Sequence, residues 1–352
     1  MNKEITEKLK DKTVLITGGT GSLGQALTKR LLKTNVKIIR IFSRNENKQV
    51  DMESQFEDDR LRFLIGDVRD VFRLYKACES VDVIFHAAAL KHVPVVEYNP
   101  FEGIKTNVIG SQNVIDACFH EHVGIATCVG TDKAVSPLNT YGATKLLMEK
   151  LFVTANPYWN PEKDTTKFIA LRYGNVLGSS GSVVPKFINQ IRNNQKITIT
   201  DPNMTRFSLT MDEALDFILE STFLGKSSEV FVPKLKAYSI MDLKDVLIEL
   251  VGKAEVEMVS IRPGEKLHET LINSDEMKYA WEFNNKYIIF SPYREVDEIE
   301  SNYPGIKKAK ISDIYSSDKV EKMSKDELKK TILQSGILDI GYHKFSFLII
   351  SI

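Results

Sequence analysis

The sequence has no excess of charge. Lysines and arginines number 47, aspartates and glutamates 47, and the formal net charge is zero. Such a balance gives no electrostatic reason to expect nucleic acid or an anionic membrane surface as a partner. Cysteine is scarce: Cys78, Cys118 and Cys128 are the only three, with no Cys-x-x-Cys pairing. They lie in apolar-periodic segments, which suits buried thiols in a reducing cytosol better than metal ligands or bridges. No apolar run approaches the ~20 residues of a membrane span. The tail Phe345–Ile352 is apolar but far too short. The start, MNKEITEKLKDK, is charged and polar and does not read as a signal peptide. There is no internal repeat and no low-complexity linker. These features point to a cytoplasmic globular protein whose 352 residues suffice for one or two domains.

Strands and helices alternate along the first half. Thr13–Thr17, Lys37–Phe42, Leu61–Ile65, Val81–Phe85, a segment through Val123, Ile125, Ala126 and Val129, and Phe168–Tyr173 read as strands. Helices fit between them, most clearly Phe101–His120. The alternation predicts an α/β fold with a Rossmann-type, doubly wound parallel sheet. Beyond about Gly174 the rhythm changes. A turn at Gly178–Ser182 precedes a helix over Val184–Asn193, and Ile197–Thr200 and Val256–Ile261 are short strands. Met211–Leu224 and Met241–Val251 are amphipathic helices, and Ser324 with Glu327 has capping-box spacing. We expect a cofactor domain over 1–174 with part of 207–235. A smaller α/β lid over 175–206 and 236–335 would bind substrate, and 336–352 would be a tail.

Gly18, Gly21 and Gly24 open a helix directly after the first strand, with Thr20, Ser22 and Leu23 between them. Glycines there let backbone approach a pyrophosphate, and the helix N-terminus favours its charge. At the end of the second strand stand Ser43 and Arg44, with Lys48 near, where a carboxylate would bind a ribose diol. A guanidinium suits a 2′-phosphate, so the expected cofactor is NADP. Arg44 as a solvated loop charge is the alternative. Asp67, followed by Val68, could accept from an adenine amine or cap the residues after it. The small residues Ala87, Ala88 and Ala89 leave room for a cofactor to pass.

The richest stretch is Gly130 to Lys145. Thr131 offers a hydroxyl, Asp132 a carboxyl and Lys133 an amine, and Tyr141 and Lys145 are four apart. On a helix that spacing puts the last two on one face. An ammonium beside a phenol favours the phenolate, which at neutral pH must come down about three units from ~10. The spacing alone is weak, since Tyr303/Lys307 and Tyr315/Lys319 share it. A strand end feeding polar groups toward a helix with apolar Ala143, Leu146, Leu147, Leu151 and Phe152 distinguishes the first pair.

With these motifs in hand the chain resembles an extended short-chain dehydrogenase/reductase. More narrowly, it resembles the inverting UDP-N-acetylglucosamine 4,6-dehydratases of the pseudaminic-acid pathway. The supporting segments are His86–Pro94, Lys105-Thr-Asn107, Arg172–Val176, Gly181–Pro185, Asp201 with Met204–Phe207, and Ile261–Glu269. The likeness reaches to about Leu333. It implies Lys133 as base at sugar C5, Asp132 as acid for the C6 hydroxyl, and Tyr141 with Lys145 and Thr131 at C4. Asn107 and Val176 join the cofactor set. Lys91, Val129, Gly130, Asn175, Ser180, Arg206, Arg262 and Glu265 fall at positions that meet the UDP-sugar. Each arginine taken alone, without the motif, reads as a surface ion pair, although guanidinium forks suit a diphosphate. Lys133 stands where retaining glucose dehydratases have glutamate. Two positions depart from the pattern: Gly130 replaces a usual serine, and Ser180 replaces a frequent arginine. The resemblance implies no net redox, a tightly held NADP regenerated each turnover, and a homo-oligomer. A retaining dehydratase or a sugar-nucleotide 4-epimerase are the neighbouring alternatives. An inactive NADP-binding sensor is the alternative of another class.

Overall fold

The computed structural model describes residues 3–155, 165–179, 181–261, 264–311 and 313–338. Ser180, Arg262 and the apolar tail lie outside them. The described chain forms two compact units, the first made of Met1–Tyr173, Leu215–Lys234 and Leu271–Ile314. Its strands β1 (Thr13–Thr17), β2 (Ile38–Ser43), β3 (Leu61–Ile65), β4 (Val83–His86), β5 (Ile125–Val129) and β6 (Lys167–Leu171) lie in the order 3-2-1-4-5-6. All pair in parallel, and Glu229–Pro233 adds another parallel strand beside β6. This is the doubly wound arrangement expected, with the strand order reversing between β1 and β4. All five residues of β1 are buried, as an interior parallel strand requires.

Residues 271–314 were expected in the second domain. Their strands Ala280–Phe283 and Lys286–Ile289 instead form a hairpin that extends this sheet antiparallel to Glu229–Pro233, with Lys307–Lys308 at the edge. The turn residues Asn284 and Asn285 both have positive φ, 44° and 58°. Asparagine tolerates that conformation, and it matches the hairpin twist.

The expected helix over Phe101–His120 runs from Pro100 to His120, with a π-helical segment, Ile104–Ile109, inside it. The helix Thr140–Thr154 is capped by Asn139, whose side chain accepts from the Gly142 N–H. Its orientation departs from the expected apolar stripe. Tyr141, Thr144, Lys145 and Glu149 are buried, while Leu147 is half exposed. The polar groups find partners inside the sheet layer, and those bonds outweigh burial of one leucine. The pairs Tyr303/Lys307 and Tyr315/Lys319 share no helix.

The second unit comprises Gly174–Ala214, Leu235–Thr270 and Tyr315–Ile352. Its core gathers Val184, Phe187 and Ile191 with Ile197, Ile199, Tyr238, Leu243, Leu247, Leu328 and Ile332. The Ser324/Glu327 capping box forms as its spacing predicts. All three cysteines are buried and free of disulfides. No helix among the described residues is long and apolar enough to cross a membrane.

Candidate active site

The glycines after β1, Ser43 and Arg44 at β2, Asp67 after β3, Ala87–Ala89 after β4 and Thr131–Lys133 after β5 stand at or just beyond the C-terminal ends of their strands. Gly18 follows β1 with φ +68°, and a Cβ there would stand 2.8 Å from the Ala88 nitrogen. A Cβ on Gly24 would meet the Gly19 carbonyl at 2.4 Å. These two glycines are therefore demanded by packing, and the small Ala87–Ala89 run is the other half of the same contact. Gly21 differs. A Cβ there would meet only the Gly18 carbonyl, at 3.2 Å. It is the N-cap of the helix Ser22–Leu31, and no side chain caps that end. Open backbone at an uncapped helix start fits a pyrophosphate.

At the end of β2, Ser43 is buried and its hydroxyl accepts from Gln49, 3.0 Å away. Arg44 is half exposed, 3.8 Å from Asp67. Lys48 is exposed, and its backbone N–H is taken by the Asn45 side chain. Asp67 accepts from the backbone and side chain of Arg69, so the turn reading of this residue is realised. Burial pushes its carboxyl up. Hydrogen bonds from Arg69 and the charges of Arg69 and Arg44 outweigh that and hold it below the ordinary range. Val68 is buried beside it.

Asn107 lies on the π-helical segment and is fully buried. Its amide exchanges two bonds with the Leu90 backbone and donates to Thr144 Oγ1 at 3.0 Å. Thr144 in turn donates to the Tyr141 carbonyl at 2.8 Å. The amide ties the loop that carries Lys91 to the first turn of the Thr140–Thr154 helix.

After β5, Gly130 leaves no room for a side chain, because a Cβ would stand 2.3 Å from the Leu171 carbonyl. Thr131 starts a short 3-10 turn, Asp132–Ala134. Asp132 is 2% exposed, accepts from Thr131 Oγ1 at 2.7 Å, and pairs with Lys133 Nζ at 3.2 Å. The Asp132 N–H donates to the Tyr173 carbonyl, anchoring the turn to the chain after β6. Gly142 sets the distance to the next helix: a Cβ there would lie 2.2 Å from the Lys133 carbonyl. This residue was not singled out from the sequence. A glycine in a helix's first turn, costly against alanine, was the available signal.

The Tyr141–Lys145 pair is close in sequence, but its electrostatics differ from expectation. Burial is the largest influence on Tyr141 and leaves its phenol above the ordinary value. The influences drawing it down are the Lys133 charge and a hydrogen bond with Thr131. Lys145 donates instead to the Val129 carbonyl at 2.7 Å. Burial lowers Lys145 to about 8, against smaller upward effects of Cys128 and Glu149.

The Lys145 shift predicts a pH dependence. Between about 8 and the ordinary 10.5 the unfolded chain holds a proton that the fold does not. Wild-type stability therefore rises with pH through that window, and the burial penalty is fully present below it. Lys145→Met should look best against wild type near pH 7. It should lose up to roughly 3 kcal/mol of that advantage toward pH 10.5. Urea midpoints of both proteins at pH 7 and pH 10 check this.

Asn175, Val176, Arg206 and Glu265 lie in the second unit. Asn175 and Arg206 meet at Glu269, and Arg206 is 3.8 Å from Glu265. Val176 is buried.

The strand order, the glycine turn after β1 and the polar cluster after β5 define a Rossmann-type α/β protein. A family model described as polysaccharide biosynthesis protein matches residues 14–291, and the chain belongs to that family. It is 46% identical over 316 residues to the UDP-N-acetylglucosamine 4,6-dehydratase (inverting) of Campylobacter jejuni serotype O:2, covering 87% of this chain and 92% of that one. It is 40% identical to the UDP-glucose 4-epimerase of Rickettsia felis, covering 92% and 96% respectively. Among solved structures, Pen from Bacillus thuringiensis superposes with a TM-score of 0.85 at 40% identity, covering 94% of this chain and 99% of that one.

Proposed function

We propose that the protein is an NADP-dependent, inverting UDP-N-acetylglucosamine 4,6-dehydratase. The observation that carries the reading is the Asp132–Lys133 ion pair, 3.2 Å across, on the turn that also holds Thr131 beside Tyr141. The Campylobacter relatives bearing that activity in their names are 44% and 46% identical.

Bound nicotinamide supplies a hydride acceptor at sugar C4 and a hydride donor at C6. The protein supplies the protons. Tyr141 takes the C4 hydroxyl proton as the phenolate, the form that the Lys133 charge and the Thr131 hydrogen bond favour against burial, with Thr131 sharing that hydroxyl. Lys145 would help to hold the cofactor and support hydride removal at C4. Once C4 is a ketone, the C5 proton is acidic. As ammonium and carboxylate, Lys133 and Asp132 are in the wrong protonation states for elimination. Transfer of one proton across the pair gives an amine and a carboxylic acid. The amine removes the C5 proton and the acid protonates the departing C6 hydroxyl as water. The products are ammonium and carboxylate, so elimination restores the resting pair; once hydride has added at C6, the C4–C5 enolate takes a proton at C5 on the opposite face, from Lys133 after the ring flips or from a second donor. Lys91, Val129, Gly130, Asn175, Ser180, Arg206, Arg262 and Glu265 would hold the sugar nucleotide. A 4-epimerase needs no such acid–base couple.

Turnover of UDP-N-acetylglucosamine in deuterated water, followed by NMR, tests the reading. The early product should be a 4-keto-6-deoxy sugar with deuterium at C5 and L-arabino configuration. A D-xylo product would mean retention. An epimeric sugar without a 4-ketone would mean an epimerase, as the rickettsial relatives are named. Absent turnover with tight NADP binding would mean a sensor.

The NADP preference rests on half-exposed Arg44 at the end of β2. Gly18, Thr20, Gly21, Ser22, Leu23 and Gly24 would hold the pyrophosphate and Ser43, Arg44 and Lys48 the 2′-phosphate. Arg44→Asp should shift the NADP/NAD affinity ratio about ten- to a hundredfold toward NAD, the size of a charge-assisted contact. Titration of both cofactors into the variant decides it, and an unchanged ratio would remove Arg44 from the phosphate.

A further inference from the structure

The second unit contains a buried carboxylate to which no role has been given. Glu269 is 3% exposed, and acidic side chains that deep are almost always paired. Its Oε1 accepts from Asn175 Nδ2 at 3.0 Å and lies 3.5 Å from Arg206 Nε. Its Oε2 accepts from the Phe207 N–H at 3.3 Å. The backbone is fixed as well: the Glu269 N–H donates to Ser317 Oγ, and the Ser317 N–H to the Glu269 carbonyl. Gly174 completes the enclosure, since a Cβ there would approach Oε2 to 3.3 Å. Arg206 is held from its other side by the Thr205 and Leu267 carbonyls.

We propose that Glu269 is a positioning residue for the sugar nucleotide: it fixes the amide of Asn175 and the guanidinium of Arg206 in the geometry that binds the UDP moiety. The inference rests on the assignment of Asn175 and Arg206 to that ligand in the proposed function. The chemistry is specific to a carboxylate, which only accepts hydrogen bonds and so decides which end of the Asn175 amide faces it. A glutamine of the same shape cannot replace it. Its NH₂ would face either the Phe207 N–H or the pair of donors on Asn175 and Arg206. The amide of Asn175 would then turn over, and the guanidinium would lose a counter-charge from its Nε side.

UDP is the probe, titrated calorimetrically into the full chain, because its binding does not depend on turnover. Glu269→Gln should weaken UDP at least ~10-fold, the cost of a misplaced charged contact. NADP affinity should stay unchanged. Asn175→Ala in the same background should add less than it does alone, because both changes remove one coupled arrangement. A merely structural role would instead make the two losses add. If Glu269→Gln fails to fold, Glu269→Asp takes its place. Because Oε1 faces both Asn175 and Arg206, the shorter side chain withdraws it from both while keeping the charge nearby, and the variant should still lose several-fold in UDP affinity. Unchanged UDP affinity in the folded variant, fully additive losses, or a wild-type protein that does not bind UDP would each overturn the proposal. Wild-type binding of UDP without dehydration, with the loss in Glu269→Gln intact, would retire the dehydratase reading and leave this one standing.

Discussion

Lys133→Ala should abolish most dehydration, by ~10²–10⁴-fold, the range for loss of a positioned general base. NADP affinity should be unchanged. The geometry gives both halves of the expectation. Lys133 sits on the 3-10 turn after β5, its side chain 29% exposed, so truncation opens no core cavity. Asp132 keeps the Thr131 hydroxyl at 2.7 Å and its backbone bond to the Tyr173 carbonyl, so the turn should persist. In the proposed mechanism two chemical functions disappear together. The C5 base is lost, and with it the proton that converts Asp132 into an acid. Tyr141 also loses the cation that chiefly opposes the effect of burial on its phenol. The residual rate of the variant should therefore need higher pH than the wild type. Steady-state rates across pH, with NADP titrations alongside, measure all three effects. Near-normal turnover without added amine would remove Lys133 from the base position.

What the sequence revealed and what it hid have separate physical causes. The central strands were legible because interior parallel strands are continuous apolar runs, and Thr13–Thr17 occurs over the expected residues. The glycine turn was legible because three constraints act within seven residues. The orientation of the Thr140–Thr154 helix was not. Period alone favoured Leu147 inward, but Lys145, Thr144 and Glu149 have specific partners across the layer, and periodicity carries no information about partners. The role of Asn107 was hidden for the same reason, since its bonds to Leu90 span 17 positions. The antiparallel extension by 271–314 was missed because a hairpin's apolar residues fit either domain equally well until the sheet edge is known. Arg172 appeared only as part of a motif, and nothing in its spacing pointed to Glu149 or Glu276.

Arg172 leads to the second large effect, on stability. Its guanidinium is wholly buried between Glu149, also wholly buried, and Glu276, which is 17% exposed. It bonds Glu149 Oε2 at 2.9 Å, both Glu276 oxygens at 2.8 Å, and the Leu271 carbonyl at 2.9 Å. One side chain thus joins the end of β6, the helix carrying Tyr141 and Lys145, and the segment leading to the antiparallel extension. Arg172→Met should cost about 3–5 kcal/mol, because removing one member of a buried ionic cluster strands the others. The loss should depend on pH in a definite direction. Burial pushes the Glu276 carboxyl up, but the hydrogen bonds and charge of Arg172 outweigh it and hold the carboxyl below its ordinary range. That contribution is fully present above the unfolded value, ~4.3, and is lost as pH falls through the lower folded value. The variant lacks it at every pH, so its deficit shrinks in acid. Melting of wild type and variant at pH 4 and pH 8 should show the smaller deficit at pH 4. Arg172→Met combined with Glu149→Leu and Glu276→Gln should recover much of the lost stability, since an apolar replacement of a buried ionic cluster is often neutral or better. A deficit equal at both pH values, or a combined variant no more stable than the single one, would mean that the cluster contributes through packing and not through charge.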